Sequence, residues 1–391
     1  MRKGSIGLLS AAHLFDDVNQ GVIPALLPFF IAERGLTIAA AGGVVLAANL
    51  ASSILQPLFG QLTDRWTIPW LVPAGLLLAG LGVAASGPAP TYGLILCAAA
   101  ASGIGVAAFH PEAARRVYVL SGERRATAMS LFAVGGNLGF AVGPALVTPI
   151  QIRFGLAGTV WLALPAVAMA AVLAIFLRDR AGAPSAARPL AIAAADRWGS
   201  FARLTGAVIS RAVIFYGLDT FIPLYWIGVF GRSKSAGAAA LTLMLSAGVA
   251  GTLAGGWLAD RFGRRVVVLG SMLALFPLLA AFVWVSNPSI ALALLVPIGL
   301  ALYAPFSVMT VLGQEYLPGR VGTASGVTIG LAVTLGGVAA PILGRIADLH
   351  GIHAAISLLI GIPLIGAFFA WWLPREGASP PIQSAQAAAE R

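Results

Sequence analysis

The chain of 391 residues has little charge: Asp, Glu, Lys and Arg make up 10% of it. Soluble domains average about 25%. Together with 59% hydrophobic residues, this excludes a soluble globular domain, which needs polar surface to cover its core. The chain has one cysteine, Cys97. That excludes an internal disulfide and a cysteine-based metal cluster, and its apolar setting reads as inert packing. No Gly-x-x-x-x-Gly-Lys-Ser/Thr loop is present, which excludes an ATP-driven pump built on one. Clustered metal ligands and a nucleophile–base motif are also missing, so no enzymatic activity, no cofactor and no metal are expected. Tails and linker are too short for a soluble signalling domain, which argues against a sensor.

What is present is a series of long apolar runs. A bilayer core of about 30 Å needs about 20 apolar residues per helical crossing. Twelve runs qualify: 5–32, 38–62, 69–87, 91–114, 126–150, 155–177, 204–230, 236–259, 266–286, 288–313, 321–346 and 352–373. A transmembrane barrel would instead alternate over segments of about 10 residues. The first run is too long for a cleavable signal peptide, carries Asp16 and Asp17, and lacks a small-residue cleavage site. The expected fold class is an all-α membrane protein of twelve transmembrane helices.

The net charge of +10 does not mark a nucleic-acid binder, because it is sorted by topology. Of the 24 Lys and Arg residues, eighteen fall in tails and loops of one parity and five in the other; Arg211 lies within a run. The positive-inside rule then places both termini in the cytoplasm of a plasma (inner) membrane protein, with the basic loops near anionic lipid headgroups.

The sequence repeats at half its length. Gly256-Trp257-Leu258-Ala259-Asp260-Arg261-Phe262-Gly263-Arg264-Arg265 has a shorter copy 196 positions earlier, Gly60-Gln61-Leu62-Thr63-Asp64-Arg65-Trp66. Thr127 and Thr323, at the starts of the fifth and eleventh runs, are again 196 apart. The expected organisation is an N-terminal six-helix bundle (1–177), a cytoplasmic linker (178–203) with a short surface helix over 191–203, a C-terminal six-helix bundle (204–373), and a disordered cytoplasmic tail (374–391). The two bundles are expected to be pseudo-symmetric, with the binding site near the midplane between them.

Ionisable residues at bilayer depth cost roughly 2.5–3.5 kcal/mol or more each, so each needs a reason. Run 1 holds His13, Asp16, Asp17, Asn19 and Gln20 near its middle. His13 is three and four positions from the two aspartates, so they share a face. Adjacent carboxylates at this depth suit a proton carrier, since both cannot be charged cheaply. His110 in run 4 falls at a depth like that of His13. Glu112 is three and four positions from Arg115 and Arg116, which suits either proton coupling or structural pairing. In run 7, Asp219 is near the midplane, with Arg211 and Tyr216 below it. The expected assignments are Asp16, Asp17, Glu112 and Asp219 for proton coupling, and His13, Gln20, His110, Arg211, Tyr216, Asn137 and Tyr303 for substrate. Asp64, Arg65, Asp260, Arg261 and Arg264 sit at inner helix ends and are expected to gate.

The loop motif, written twice, resembles that of the major facilitator superfamily. His13-Leu14-Phe15-Asp16-Asp17-Val18-Asn19-Gln20-Gly21-Val22-Ile23-Pro24 and Phe109-His110-Pro111-Glu112-Ala113-Ala114-Arg115 look like the fosmidomycin-resistance family of exporters. Gly139-Phe140-Ala141-Val142-Gly143-Pro144 resembles the glycine-proline antiporter motif, without its closing glycines. The arginine motif usual in run 4 of drug–proton antiporters is absent from Cys97–Val106. The resemblance implies a monomeric, proton-coupled antiporter exporting a small anionic or zwitterionic drug-like molecule. An importer or facilitator of organic anions would use the same fold.

Overall fold

The computed structural model describes residues 3–66, 68–121, 125–178, 195–320, 324 and 326–375. It is helical throughout, with no strand among the described residues. The first half contributes α1 (Lys3–Arg34), α2 (Ile38–Arg65), α3 (Leu71–Ser86), α4 (Tyr92–Ser121), α5 (Arg125–Phe154) and α6 (Ala163–Arg178), the last entered through a 3-10 segment, Leu156–Leu162. The second contributes α7 (Trp198–Gly228), α8 (Lys234–Phe262), α9 (Arg264–Trp284), α10 (Pro288–Tyr303) with α11 (Pro305–Tyr316), α12 (Ala332–His350) and finally α13 (Ile352–Ser357) with α14 (Ile362–Trp371). Each expected run corresponds to one crossing. Among the described residues ten segments are long and apolar enough to span a membrane, Leu71–Ser86 is apolar but shorter, and α1, which carries the buried polar cluster of run 1, is the remaining crossing. With an even number of crossings both ends of the chain lie on one side, here called the termini side.

Three boundaries differ from the sequence expectation. Crossing 7 starts at Trp198, not 204, because the linker's end docks on the second bundle: Arg197 N donates to Tyr316 O at 2.7 Å, and Arg203 to Trp372 O at 3.2 Å. The short helix expected over 191–203 is therefore the first turn of α7, with residues 179–194 outside the described residues. Crossing 10 breaks at Ala304, where Pro305 lacks the N–H that would continue the ladder. Crossing 11 contains a π-helix over Gly326–Leu331. Tail residues 376–391 also lie outside the described residues.

The repeat is visible in local chemistry. Thr37 caps α2 by accepting from Ala40 N at 3.1 Å, and Ser233, 196 residues on, caps α8 by accepting from Ala236 N at 3.2 Å. Gly103 packs on the backbone of Ala48, and Gly299 on that of Met244, each residue again 196 from its counterpart. Gly263, in the loop motif, turns α8 into α9 with φ +92, open to glycine and strained for other residues.

Without a hydrophobic force between helices in lipid, small residues let backbones approach. Gly135, Gly139 and Gly143 form a ladder on α5 against the backbones of Ser10, Leu14 and Gly21 on α1. The outer surface is apolar, with Ile175, Trp284 and Phe368 exposed, as a lipid-facing surface requires. The halves meet on the side away from the termini. There Gly42 of α2 lies on Ala340 and Pro341, and Gly344 of α12 lies on Ile38 and Ala39. The Asp348 carboxylate accepts from Ile38 N (2.8 Å) and Ala39 N (2.9 Å), capping α2 from the other half. Lys234 Nζ sits 4.1 Å over the Phe29 ring.

Candidate functional site

The α1–α5 glycine ladder explains how the polar face of α1 is accommodated. Gly136 leaves open the volume that a Cβ would take from the His13 ring and the Asp17 carboxylate. Into this space α4 delivers His110, 97 positions from His13 in sequence. His13 Nε2 lies 3.0 Å from His110 Nε2. Asp17 Oδ2 is 3.2 Å from His13 Nε2, and Asp17 Oδ1 is 3.4 Å from His110 Nε2. Gln20 donates to Asp17 Oδ1 at 2.7 Å. Asp16 Oδ2 is 3.5 Å from His110 Nδ1, and neither Asp16 oxygen has a hydrogen-bond donor. His13 also stacks on Phe132 at 4.0 Å between ring centroids. All four groups are buried except His110, which is partly open.

The sequence alone joins neither histidine to the other, and the structure does. His13, Asp17 and His110 present ligand atoms all within 4.8 Å of one another. The clustering depends on the crossing of α1 and α4, and no sequence spacing reveals it.

Glu112 takes a different place. Its carboxylate accepts from Arg115 Nε and Arg116 Nε, both at 2.8 Å, and again from Arg115 at 2.8 Å. Of the two roles its spacing allowed, the geometry realises pairing with both arginines, one turn from the histidine cluster. Asn19 donates to carbonyls of its own helix. Asn137 is half-buried on α5 beside Gly136.

A narrow cavity runs between the halves, lined by Gln20, Asn49, Ser52, Phe140, Tyr216 and Asp219 among others. Asp219 is buried, and its Oδ1 has no hydrogen-bond partner. Two turns away on α7, Arg211 is buried among aromatics, 4.9 Å from the Phe306 centroid and 6.0 Å from that of Phe215. It donates a hydrogen bond to Leu302 O at 3.3 Å. No carboxylate among the described residues lies within ion-pair distance of it. Tyr303 packs edge-on to Phe215 at 5.5 Å, so Arg211, Tyr216 and Tyr303 share one neighbourhood.

At the loop motifs, Asp64 and Arg65 end α2, and their side chains lie outside the described residues. Asp260 is exposed, Arg261 stacks on Trp257 and Phe262 (5.5 Å each), and Arg264 pairs with Glu315 at 2.7 Å, tying α9 to α11. Sequence reasoning missed Glu315, Gly136 and Asp348. Asp348 had a weak signal, being a carboxylate at the end of a run whose partner run starts with a capping Thr.

Twelve crossings in repeated halves, with a cavity between them lined in part by the buried Asp219, have a counterpart among known proteins. The profile of the Major Facilitator Superfamily matches residues 9–341. The chain belongs to the major facilitator superfamily. It is therefore a multi-pass membrane protein of a transporter superfamily. It is 33% identical to the uncharacterized MFS-type transporter YfnC of Bacillus subtilis (strain 168), across 94% of this chain and 92% of that one. It is also 33% identical to the fosmidomycin resistance protein of Escherichia coli (strain K12), across 93% and 91%. In fold it resembles a bacterial homolog of the human lysosomal transporter Spinster in an inward-facing, occupied conformation, with TM-score 0.82, 16% identity, and 95% and 96% of the two chains covered. It also resembles a mutant of the nucleoside transporter NupG, with TM-score 0.75, 13% identity, and 94% and 99% covered.

Proposed function

We propose that this transporter is a proton-coupled antiporter that exports a small anionic or zwitterionic molecule, phosphonate-like in charge, by alternating access. The observation that carries the anion is Arg211. A buried guanidinium without a carboxylate partner is costly, and an anionic cargo would supply the missing charge. Tyr216 and Gln20 line the cavity, Tyr303 packs in the neighbourhood of Arg211, and the relative named for fosmidomycin resistance fits an anionic cargo. Asp16 and Asp17, beside the histidines, and Asp219, which lines the cavity, take the coupling proton in this reading. Glu112 serves the inner end structurally. Both termini are cytoplasmic, the protein acts as a monomer in the plasma membrane, and the far-side seam closed by Asp348 is the outer gate. The conformation is, in this reading, inward-facing or occluded.

Purified protein in proteoliposomes tests this. An interior-acid gradient should drive uptake of a phosphonate into inverted vesicles. Arg211→Gln should weaken phosphonate binding roughly 10- to 100-fold, the scale of one lost charge-assisted hydrogen bond. Preference for a lipophilic cation, unchanged by Arg211→Gln, would overturn the anion reading. Uptake driven only in right-side-out vesicles would favour the importer.

A further inference from the structure

The histidine cluster poses a question of proton placement that hydrogen-bond chemistry answers. A neutral imidazole carries one N–H, and its second nitrogen is an acceptor. His13 Nδ1 lies 2.7 Å from Phe132 O, and His110 Nδ1 lies 2.9 Å from Val106 O. A carbonyl oxygen only accepts, so each Nδ1 is the donor and carries that ring's proton. If both rings were neutral, both Nε2 atoms would be bare lone pairs. They face each other at 3.0 Å, with Asp17 oxygens 3.2 and 3.4 Å away. Four acceptors would then converge in a site closed to water on most sides. Such an arrangement leaves buried acceptors without donors and sets like partial charges in contact.

We infer that His13, His110 and Asp17 hold one shared proton, bridged between the two Nε2 atoms, in addition to the one on each Nδ1. With it the trio carries one imidazolium charge against one carboxylate charge and is neutral. Its surroundings are compatible with this count. On α1, Gln20 donates to Asp17 Oδ1, and Asp16 faces the outer edge of His110. On α4, Glu112 is turned to Arg115 and Arg116 and not to the trio. α5 offers the Phe132 carbonyl and, at Gly136, no side chain. Across the seam α7 contributes Tyr216 and Asp219, with Tyr303 beyond. Among the described residues no lysine or arginine lies within ion-pair distance of Asp17, so the positive charge opposite it is the shared proton's. Removing that proton would leave two lone pairs and a carboxylate in mutual contact, forcing α1 and α4 apart locally. Protonation state and helix packing are thereby linked. The role of this proton in transport rests on the coupling reading above, but the bridge itself does not.

The chain has only four histidines, which makes the bridge directly observable. Full-length protein labelled with 15N-histidine, in lipid nanodiscs, should show a scalar coupling between the Nε2 nitrogens of His13 and His110 across the hydrogen bond. Both Nδ1 atoms should appear protonated. His110→Gln and His13→Gln should each abolish the coupling and leave the His350 and His353 signals in place, which reports that the variant is folded. Absence of the coupling in the unmodified protein, or an unprotonated Nδ1 on either ring, would overturn the inference. One equivalent of tightly bound divalent metal by elemental analysis would overturn it too, because the same three atoms converge closely enough to ligate one. Transport then separates the two readings. A bridge without pH-driven transport refutes proton coupling and leaves the shared proton standing, whereas pH-driven transport without a bridge refutes the shared proton alone.

Discussion

Asp348 supplies the sharpest test of how the two halves are held. Its carboxylate reaches from the end of α12 to the first two N–H groups of α2, at 2.8 and 2.9 Å. Those N–H groups have no partner within their own helix, and a helix N-terminus favours a negative charge by about 0.3–1 kcal/mol. Hydrogen bonds to a charged group contribute about 1.5–3 kcal/mol when buried. Asp348 is exposed, so water competes for the same N–H groups and screening lowers the sum. We expect a net bias of roughly 1–2 kcal/mol toward the closed far side, a factor of about 5–30 in population. Asp348→Ala removes the whole contact. Asp348→Asn keeps one acceptor oxygen and loses the charge, and should shift the population less. Glycine packing at Gly42 and Gly344 remains in both variants, so the seam should loosen without unfolding. Spin labels at positions 36 and 350, with the exposed Cys97 replaced by Ser, would report the far-side distance by double electron–electron resonance. The expected result is a longer-distance population that grows from wild type to Asn to Ala. Identical distributions in all three proteins would refute a latching role and leave Asp348 as a simple helix cap.

Other outcomes follow from the same geometry. Asp16→Asn with Asp17→Asn should abolish pH-gradient-driven transport while counterflow exchange persists; full pH-driven transport in the double variant would remove both from coupling. Gly136→Ala sets a methyl group into the His13 ring and Asp17 carboxylate, and should cut transport at least tenfold at near-normal expression, whereas unchanged transport would mean the cluster tolerates rearrangement. Asp260→Asn should slow turnover with nearly unchanged cargo affinity, since Asp260 lies in the last turn of α8 and not among the residues lining the cavity; a large loss of affinity at normal turnover would contradict gating. Cysteines at positions 34 and 261, with Cys97 removed, should label from outside and only from inside respectively, and the reverse pattern would invert the assigned topology.

The fold was legible in the sequence because length and hydropathy alone set a membrane helix, and the half-chain repeat set their grouping. What resisted was anything made by helices crossing. His13, Asp16 and Asp17 could be placed on one face from their spacing, since a single helix fixes it. His110 could be assigned a depth but no partner, because its meeting with His13 depends on how the crossing helices lean on one another; on α4, Gly105 lets Gly75 and Ala79 of α3 come close and helps set that lean. Glu112 was ambiguous in sequence because one spacing serves both a proton carrier and an ion pair; only the two arginines' actual rotamers decide which contact forms. The interruption at Ala304 was partly legible from Pro305, whereas the π-helix over Gly326–Leu331 had no signal among its glycines and threonines. Asp348 was overlooked because its role lies in another helix's unpaired N–H groups, which carry no side-chain signature.

The repeat also shows how two similar halves come to hold different chemistry. His13 and His110 meet across α1 and α4 in the first half. Counting on by 198 and 196 positions gives Arg211 and Phe306, and these too meet, guanidinium over ring at 4.9 Å. One packing position thus carries an ionisable pair in one half and a permanently charged residue on an aromatic face in the other. Imidazole is the side chain whose unperturbed charge changes near neutral pH, whereas guanidinium does not titrate in proteins. A proton gradient can therefore act on the histidines of the first half, while a fixed cation can meet an anion in the second. In the proposed antiporter, coupling between them would cross the seam, where Gln20 and Phe140 face Tyr216 and Asp219. Asp219, buried and with one oxygen unpartnered, stands on the second half's side of that crossing. It is the group best placed to register in one half what has happened in the other.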